Sequence, residues 1–519
     1  MMESRLKERK GPGWVVPVHM AAPSLSDNTA DADRLIQALS AQFSKRLHVT
    51  VSPGLLEQLS AKLRGWNYAA RCVLFEKDGC MEVLEVLEPS GSERALGFAV
   101  DLGTTRIVMR LVDLERGTVL GEIPMDNPQA SIGADILTRI HHAESGQGRY
   151  TLQSMVARSL EDGMEALCAQ AGLHPHDVFL VAVSGNTTMT HLLMGLPCSH
   201  LIREPYIPVV NTPGVQRAGR YLNGMHRDAR IFFFPNIGSY FGGDLISGIL
   251  YAGIHRQSET TLLVDVGTNA EVVLGNQEWL LGCAGAAGPA LEGGVSSMGM
   301  TAGPGVIDRV WRDGDDFFVG TIEDLPPVGI CGSGFIDLAA ALFLTGMMDP
   351  KGKLVKQTCG RRYVLEHGLP ALVVVPASES GTGEDIVVSQ PSLDSLVRSK
   401  AAMYTILETL AMKVGAQLQD VEKIYVAGTF GAYIDPESAV TIGMIPDLPL
   451  SRYEKIGNSS LEGATQLLLS QRAMEEVRAI RNSITYVELN VDHDFMIRFS
   501  GSKFIPHTDP DLFPSVKKL

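Results

Sequence analysis

Apolar and polar positions follow two rhythms along this chain. Over residues 31–43 the apolar side chains fall at helical spacing, with Leu35, Ile36 and Leu39 on one face. Residues 53–63 repeat that rhythm behind a proline suited to the first turn of a helix. Between them 48–51 is a short strand-type run, and 68–75 and 81–87 are β-rich runs flanking Asp78 and Gly79, a pair suited to a tight hairpin turn. These elements predict a small α/β unit over 24–92, closed by the Pro-Ser-Gly-Ser stretch at Pro89. A charged tail over 1–23 precedes it. Apolar spacing further predicts helices over 241–254, 397–415 and 460–478.

A longer-range pattern sits on top of this. Residues 97–112 read GFAVDLGTTRIVMRLV and residues 261–274 read TLLVDVGTNAEVVL. In each, an apolar strand ends in Asp, then come one residue, Gly and Thr, and a second apolar strand follows. One D-x-G-T is a common turn. Two copies in the same strand–turn–strand setting, a domain's length apart, predict two related halves, over 97–258 and 259–519, the second with a C-terminal return segment. A carboxylate followed by Gly and Thr at a hairpin tip supplies a hard oxygen ligand, close backbone approach, and N–H and hydroxyl donors. Those are the parts that hold Mg²⁺ and phosphate oxygens. The pair resembles the two phosphate hairpins of the superfamily of acetate and sugar kinases, heat-shock chaperones and actin. That resemblance implies an α/β fold of duplicated ribonuclease-H-like (actin-like ATPase) halves behind a small N-terminal α/β domain, with ATP in the cleft between the halves. It assigns Asp101 and Asp265 to metal-water coordination, and Gly103, Thr104, Thr105, Gly267, Thr268 and Asn269 to phosphate contacts.

Other motifs arrive in the order the superfamily implies. Residues 423–435 read KIYVAGTFGAYID, a β-run ending in glycine that permits close backbone approach to a nucleoside; Gly428, Thr429 and Gly431 are the adenosine-site candidates. In 183–195 Gly185, Asn186 and Thr187 either cap a helix or line the site. The superfamily's chaperones place an acidic residue at the head of the helix before the second hairpin. Asp244, in FGGDLISGILYAGI, is the candidate for orienting the attacking water, against a plain helix-cap role. Asp135, entered through a similar Gly-Ala-Asp, is the second candidate.

Charge and cysteine content narrow the partners. The net charge is −15, which repels phosphate backbones and anionic lipid, so neither nucleic acid nor membrane is an expected partner. With 45% hydrophobic and 20% charged residues the 519-residue chain has the composition of a folded, several-domain protein. No uninterrupted apolar stretch is long enough to span a bilayer, and a cytoplasmic protein is expected. The seven cysteines are scattered without a C-x-x-C pair, so no disulfide framework and no iron–sulfur cluster is expected in this chain.

The wording of the blocks is more specific still. MDNPQASIGADILTRI (125–140), GNTTMTHLLMG (185–195), CAGAAGPALEGGVSSMGMTAGPGVI (283–307), GICGSGFIDLAAALFLTGMMD (329–349), AGTFGAYIDPESAVTIGMIP (427–446), GNSSLEGA (457–464) and YVELN (486–490) together resemble the reductive activators of corrinoid proteins. The 24–92 unit is similar to the middle domain these activators carry. The resemblance implies ATP-dependent reduction of Co(II) to Co(I) on a partner corrinoid protein, and a homodimer. Within it, Ser296 and Ser297 belong to a small-residue segment that either faces the corrinoid or lines the nucleotide site, and the Gly332-Ser333-Gly334 helix entry either binds an anion or caps. One departure stands out. Family members commonly begin with a plant-type [2Fe–2S] domain, and no cysteine precedes Cys72. A separate ferredoxin-like donor, a sequence cut short relative to the family, or an ATPase that lost its redox role each accounts for this. A small-molecule kinase and a nucleotide-gated binding or sensor protein are the alternatives outside corrinoid chemistry.

Overall fold

A computed structural model describes residues 14–43, 48–77, 79–267, 270–285, 299–300, 302–428, 433–489 and 494–516. The chain forms two compact units. Met1–Tyr251 with Ser460–Asn482 makes the first, and Ala252–Ser459 with Ser483–Leu519 the second.

The first unit opens with the small α/β element: β1 (Val15–His19), α1 (Asp31–Gln42), β2 (His48–Val51), α2 (Pro53–Gly65), β3 (Ala69–Lys77) and β4 (Cys80–Leu87). Its sheet runs β1-β3-β4-β2, and Leu35, Leu39, Leu55, Leu59 and Leu63 bury the inner helix faces against it. The helices and the β3–β4 hairpin fall where the apolar periodicity puts them. β1 corrects the expectation of a tail over 1–23. Pro17 interrupts the pattern there, yet β1 is an edge strand, where a residue without an N–H is tolerated. Trp14 is buried beside it and donates its indole N–H to the Leu468 carbonyl. The small element is locked to the rest of its unit by Ser52 donating to Asp228 (2.7 Å) and by His226 against Glu85 (3.2 Å).

A six-stranded sheet follows, built from β5 (Leu96–Leu102), β6 (Arg106–Asp113), β7 (Thr118–Asp126), β8 (Val178–Gly185), β9 (Gly214–Arg217) and β10 (Arg230–Phe233), in the order β7-β6-β5-β8-β10-β9. β5, β6 and β7 form an antiparallel meander; β8 and β10 continue it in parallel. Helices α3 (Ile136–Ala143), α4 (Gly146–Gln170), α5 (Thr187–Met194) and α6 (Gly243–Ala252) belong to the same unit.

In the second unit β11 (Thr261–Val266), β12 (Ala270–Gly275) and β13 (Leu280–Gly285) form the meander. After β14 (Val306–Asp313), β15 (Asp316–Thr321), β16 (Gly329–Ile330), α7 (Gly332–Leu344), a three-stranded sheet of β17 (Tyr363–Glu366), β18 (Leu369–Val375) and β19 (Ile386–Ser389), and α8 (Gln390–Lys413), the parallel strands β20 (Lys423–Ala427) and β21 (Tyr453–Gly457) are added. With β22 (Ile484–Tyr486) the order is β21-β20-β11-β12-β13-β22. With the edge strands β9 and β22 set aside, the remaining five strands of both large sheets lie in the order third, second, first, fourth, fifth, so the ribonuclease-H-like fold is present twice. α7 is buried from Gly332 through Phe343 and apolar apart from Ser333 and Asp337, as suits a central helix. Among the described residues no helix is long and apolar enough to cross a membrane.

Candidate functional site

Each hairpin puts its aspartate at a strand end beside the next parallel strand. In the first unit Asp101 is paired in register with Val108 on β6 and Ser184 on β8. Leu102 pairs with Ile107, so the turn consists of Gly103, Thr104, Thr105 and Arg106. Gly103 has no alternative: a Cβ there would lie 2.3 Å from the Arg106 carbonyl oxygen. Two asparagines brace the turn. Asn127 donates its side-chain amide to the Gly103 carbonyl (2.9 Å) and its backbone N–H to the Thr105 carbonyl (2.8 Å). Asn186 donates to the Thr104 hydroxyl (3.0 Å) while its own oxygen caps α5 by accepting from the Met189 N–H (2.9 Å). The capping role weighed for the 185–187 segment is filled by Asn186, which also ties the first turn to the helix start.

Asp244 is the second residue of α6, half-buried, and accepts the Leu245 N–H at 2.9 Å. Burial pushes its carboxyl up to about 7, and the negative charge of Asp101 adds to the rise. Gly242 brings it close to the turn: a Cβ on Gly242 would sit 2.5 Å from both Asp244 Oδ1 and Asn186 Cα. Asp135 stands in a different setting. It is exposed at the N-cap of α3, and its two oxygens take the Thr138 N–H (2.9 Å) and hydroxyl (2.8 Å). Those bonds hold its carboxyl below the usual range, which suits a helix cap and not a proton acceptor.

In the second unit Asp265 is in register with Glu271 on β12 and Ala427 on β20. Gly428 follows at φ +86°, and a Cβ there would lie 2.5 Å from Asp265 Oδ1 and 2.7 Å from the Val266 carbonyl oxygen. A metal candidate and an adenosine candidate are thus neighbours, with Gly267 in the adjoining turn. Thr268, Asn269, Thr429, Gly431, Ser296 and Ser297 lie outside the described residues. At the 332–334 entry, Ser333 donates inward to the Asp308 carbonyl (3.3 Å), and a Cβ on Gly334 would meet the Ile307 carbonyl oxygen at 2.4 Å. Packing of α7 on β14 explains those residues.

The donor set suits Mg²⁺ with phosphate. Asp101 and Asp244 are two neighbouring carboxylates in one unit, an arrangement a divalent cation relieves. Among the described residues no group of three or more His, Cys, Asp or Glu is placed so that it could hold a metal ion. Mg²⁺ needs none, because it keeps most of its waters and takes one or two carboxylates plus substrate oxygens. Asn127, Ser184 and Ser460 escape the sequence reading. Their blocks are visible in it, but their contacts are made across 24 to 359 positions of chain.

This arrangement of hairpins on a twice-repeated sheet defines an actin-like ATPase, and the comparisons agree. Residues 259–517 match the family model described as the C-terminal domain of RACo, the ASKHA domain; 96–257 match the RACo middle region and 9–93 the RACo linker region. The small N-terminal element is therefore the part that matches the linker model. A solved reductive activator for corrinoid, iron–sulfur protein is 36% identical with a TM-score of 0.87, covering 98% of this chain and 82% of that one. The corrinoid activation enzyme RamQ of Eubacterium limosum is 30% identical over 429 residues, 80% of this chain and 71% of RamQ. A reductase of the Co(II) methylated amine-specific corrinoid protein from Methanosarcina barkeri is 25% identical over 426 residues, 75% and 73% of the two chains. The chain belongs to the RACo family of reductive activators.

Proposed function

We propose that this protein couples ATP binding and hydrolysis to the one-electron reduction of Co(II) to Co(I) on a corrinoid protein. The observation that carries the proposal is the likeness to a solved reductive activator over 98% of the chain at a TM-score of 0.87. One electron leaves a low-potential donor and enters cobalt, while ATP and water become ADP and phosphate. Asp101, Gly103, Thr104 and Thr105 on the first unit, and Asp265, Gly267, Thr268 and Asn269 on the second, contribute to phosphate and metal-water binding. Gly428, Thr429 and Gly431 take the adenosine. Bound Mg²⁺ supplies charge neutralisation for the phosphates. Asp244 orients the attacking water, and Asn127 and Asn186 hold the first turn in shape for it.

The electron comes from a separate ferredoxin-like carrier. What supports this is the state of the thiols: six of the seven cysteines are buried and all are unpaired. Burial pushes Cys72 and Cys198 up to about 12 and Cys168 to about 11, the opposite of what a cluster ligand requires. Ser296 and Ser297 are the proposed corrinoid-facing residues.

The test is steady-state ATP hydrolysis with a Co(II) corrinoid protein titrated in. Hydrolysis that rises severalfold and saturates supports the proposal. A rate indifferent to corrinoid protein, with a phosphorylated metabolite formed instead, overturns it in favour of a kinase.

A further inference from the structure

The Asp101 side of the site rests on a residue from the far end of the chain. The chain leaves the second unit at Ser459 and enters the first at Ser460, in the helix Ser459–Leu469. There the Ser460 hydroxyl donates to Asp101 Oδ1 at 2.7 Å and lies 2.8 Å from the Ser184 hydroxyl. Ser184 stands next to Asp101 by strand register; its one hydroxyl proton either goes to Ser460 Oγ, completing the chain to Asp101, or to the Gly243 carbonyl (3.2 Å) at the head of α6 beside Asp244. From the other side, Ser247 of α6 donates to the Ser460 carbonyl at 2.7 Å. The approach of the two helices is as close as backbone allows: a Cβ on Gly463 would meet the Ser247 carbonyl oxygen at 2.0 Å. Ser184, Ser247 and Ser460 are all buried.

We propose that Ser460, with Ser184, is a positioning residue for ATP hydrolysis, fixing the orientation of the Asp101 carboxylate through a buried hydroxyl chain. This rests on the reading of Asp101 as a metal-water ligand. A hydroxyl donated to a carboxylate in a buried setting is a strong, directional bond, and a metal-bound carboxylate that can swing loses the geometry on which hydrolysis depends. The Ser247 tether uses the Ser460 backbone, so deleting the Ser460 side chain leaves the helix contact in place.

The experiment compares Ser460→Ala, Ser460→Thr, Ser184→Ala and Asp101→Asn in the full chain. Ser460→Ala should lower kcat for ATP hydrolysis by about 10- to 100-fold with the KM for ATP within about twofold. It should also shrink the extra thermal stabilisation that Mg·ADP gives over ADP in chelator, a readout independent of turnover. Ser460→Thr keeps the hydroxyl and should recover most of both, and Ser184→Ala should lose less than Ser460→Ala. Wild-type kcat and a wild-type Mg·ADP increment in Ser460→Ala overturn the inference, as do equal losses in the Ala and Thr variants. Asp101→Asn separates the two levels. If it hydrolyses ATP like the wild type, the reading of Asp101 fails; if it is inactive while Ser460→Ala is normal, only the role of Ser460 fails.

Discussion

Asp244 and Asp135 enter their helices through similar sequences and have opposite surroundings. Asp135 uses both oxygens on Thr138 at an exposed cap, whereas Asp244 packs against Gly242 and is influenced by the negative charge of Asp101. Asp244→Asn should therefore cut kcat for ATP hydrolysis by about 100-fold, with nucleotide affinity retained on calorimetry. Asp135→Asn, which still caps, should leave kcat within about twofold; the reverse ranking would exchange their roles. Gly428 gives a second prediction at this scale. Its φ of +86° and the 2.5 Å approach to Asp265 leave no room for a methyl group, so Gly428→Ala should weaken ADP binding by about tenfold or more and lower stability by about 1–2 kcal/mol. Unchanged ADP affinity would remove Gly428 from the nucleotide site. The placement of Asp101 and Asp265 at the ends of paired strands was legible because a hairpin pattern is local in sequence. Asn127, Ser184 and Ser460 were not, since each earns its role from a contact that only the folded chain makes.

Among the elements, the ones read from periodicity were those whose pattern is continuous: α1, α2 and the β3–β4 hairpin. β1 was hidden by Pro17, which its edge position makes harmless, and the return segment read as one helix over 460–478 is two, Ser459–Leu469 and Arg472–Ser483. α8 likewise begins at Gln390, earlier than its apolar spacing suggests, because Pro391 occupies its first turn. α7 carries a testable cost. Burial raises the Asp337 carboxyl from 3.8 to about 6, opposed by bonds from Ser438 and the Val310 N–H and aided by Asp435 and Asp308. Between those two values the folded chain keeps a proton that the unfolded chain releases, so this group makes stability fall as pH rises through that window and level off above it. Asp337→Asn can still accept the Val310 N–H. It should be more stable than the wild type at pH 8, by on the order of 2 kcal/mol, and indistinguishable from it near pH 4, as urea denaturation at the two values would read. Parallel pH dependence in both proteins would refute the assignment.

For the whole molecule, the repeat visible at Asp101 and Asp265 proved to be a repeat of connectivity: the same order of five strands in each large sheet once the edge strands β9 and β22 are set aside. That much was legible because a duplicated hairpin leaves a duplicated sequence. The family was legible through the long glycine-rich blocks, whose small residues are demanded by close backbone approach at Gly334, Gly428 and Gly463. The partner surface was not, because no local rule links a surface to the protein it meets. The most direct test follows cobalt itself. The purified chain, a Co(II) corrinoid protein and a chemically reduced ferredoxin are mixed anaerobically, and the Co(I) absorbance is recorded before and after Mg·ATP is added. The account predicts Co(I) formation that depends on ATP and is lost in Asp101→Asn and Asp265→Asn. Co(I) appearing at the same rate without nucleotide, or failing to appear while ATP is hydrolysed, would contradict it.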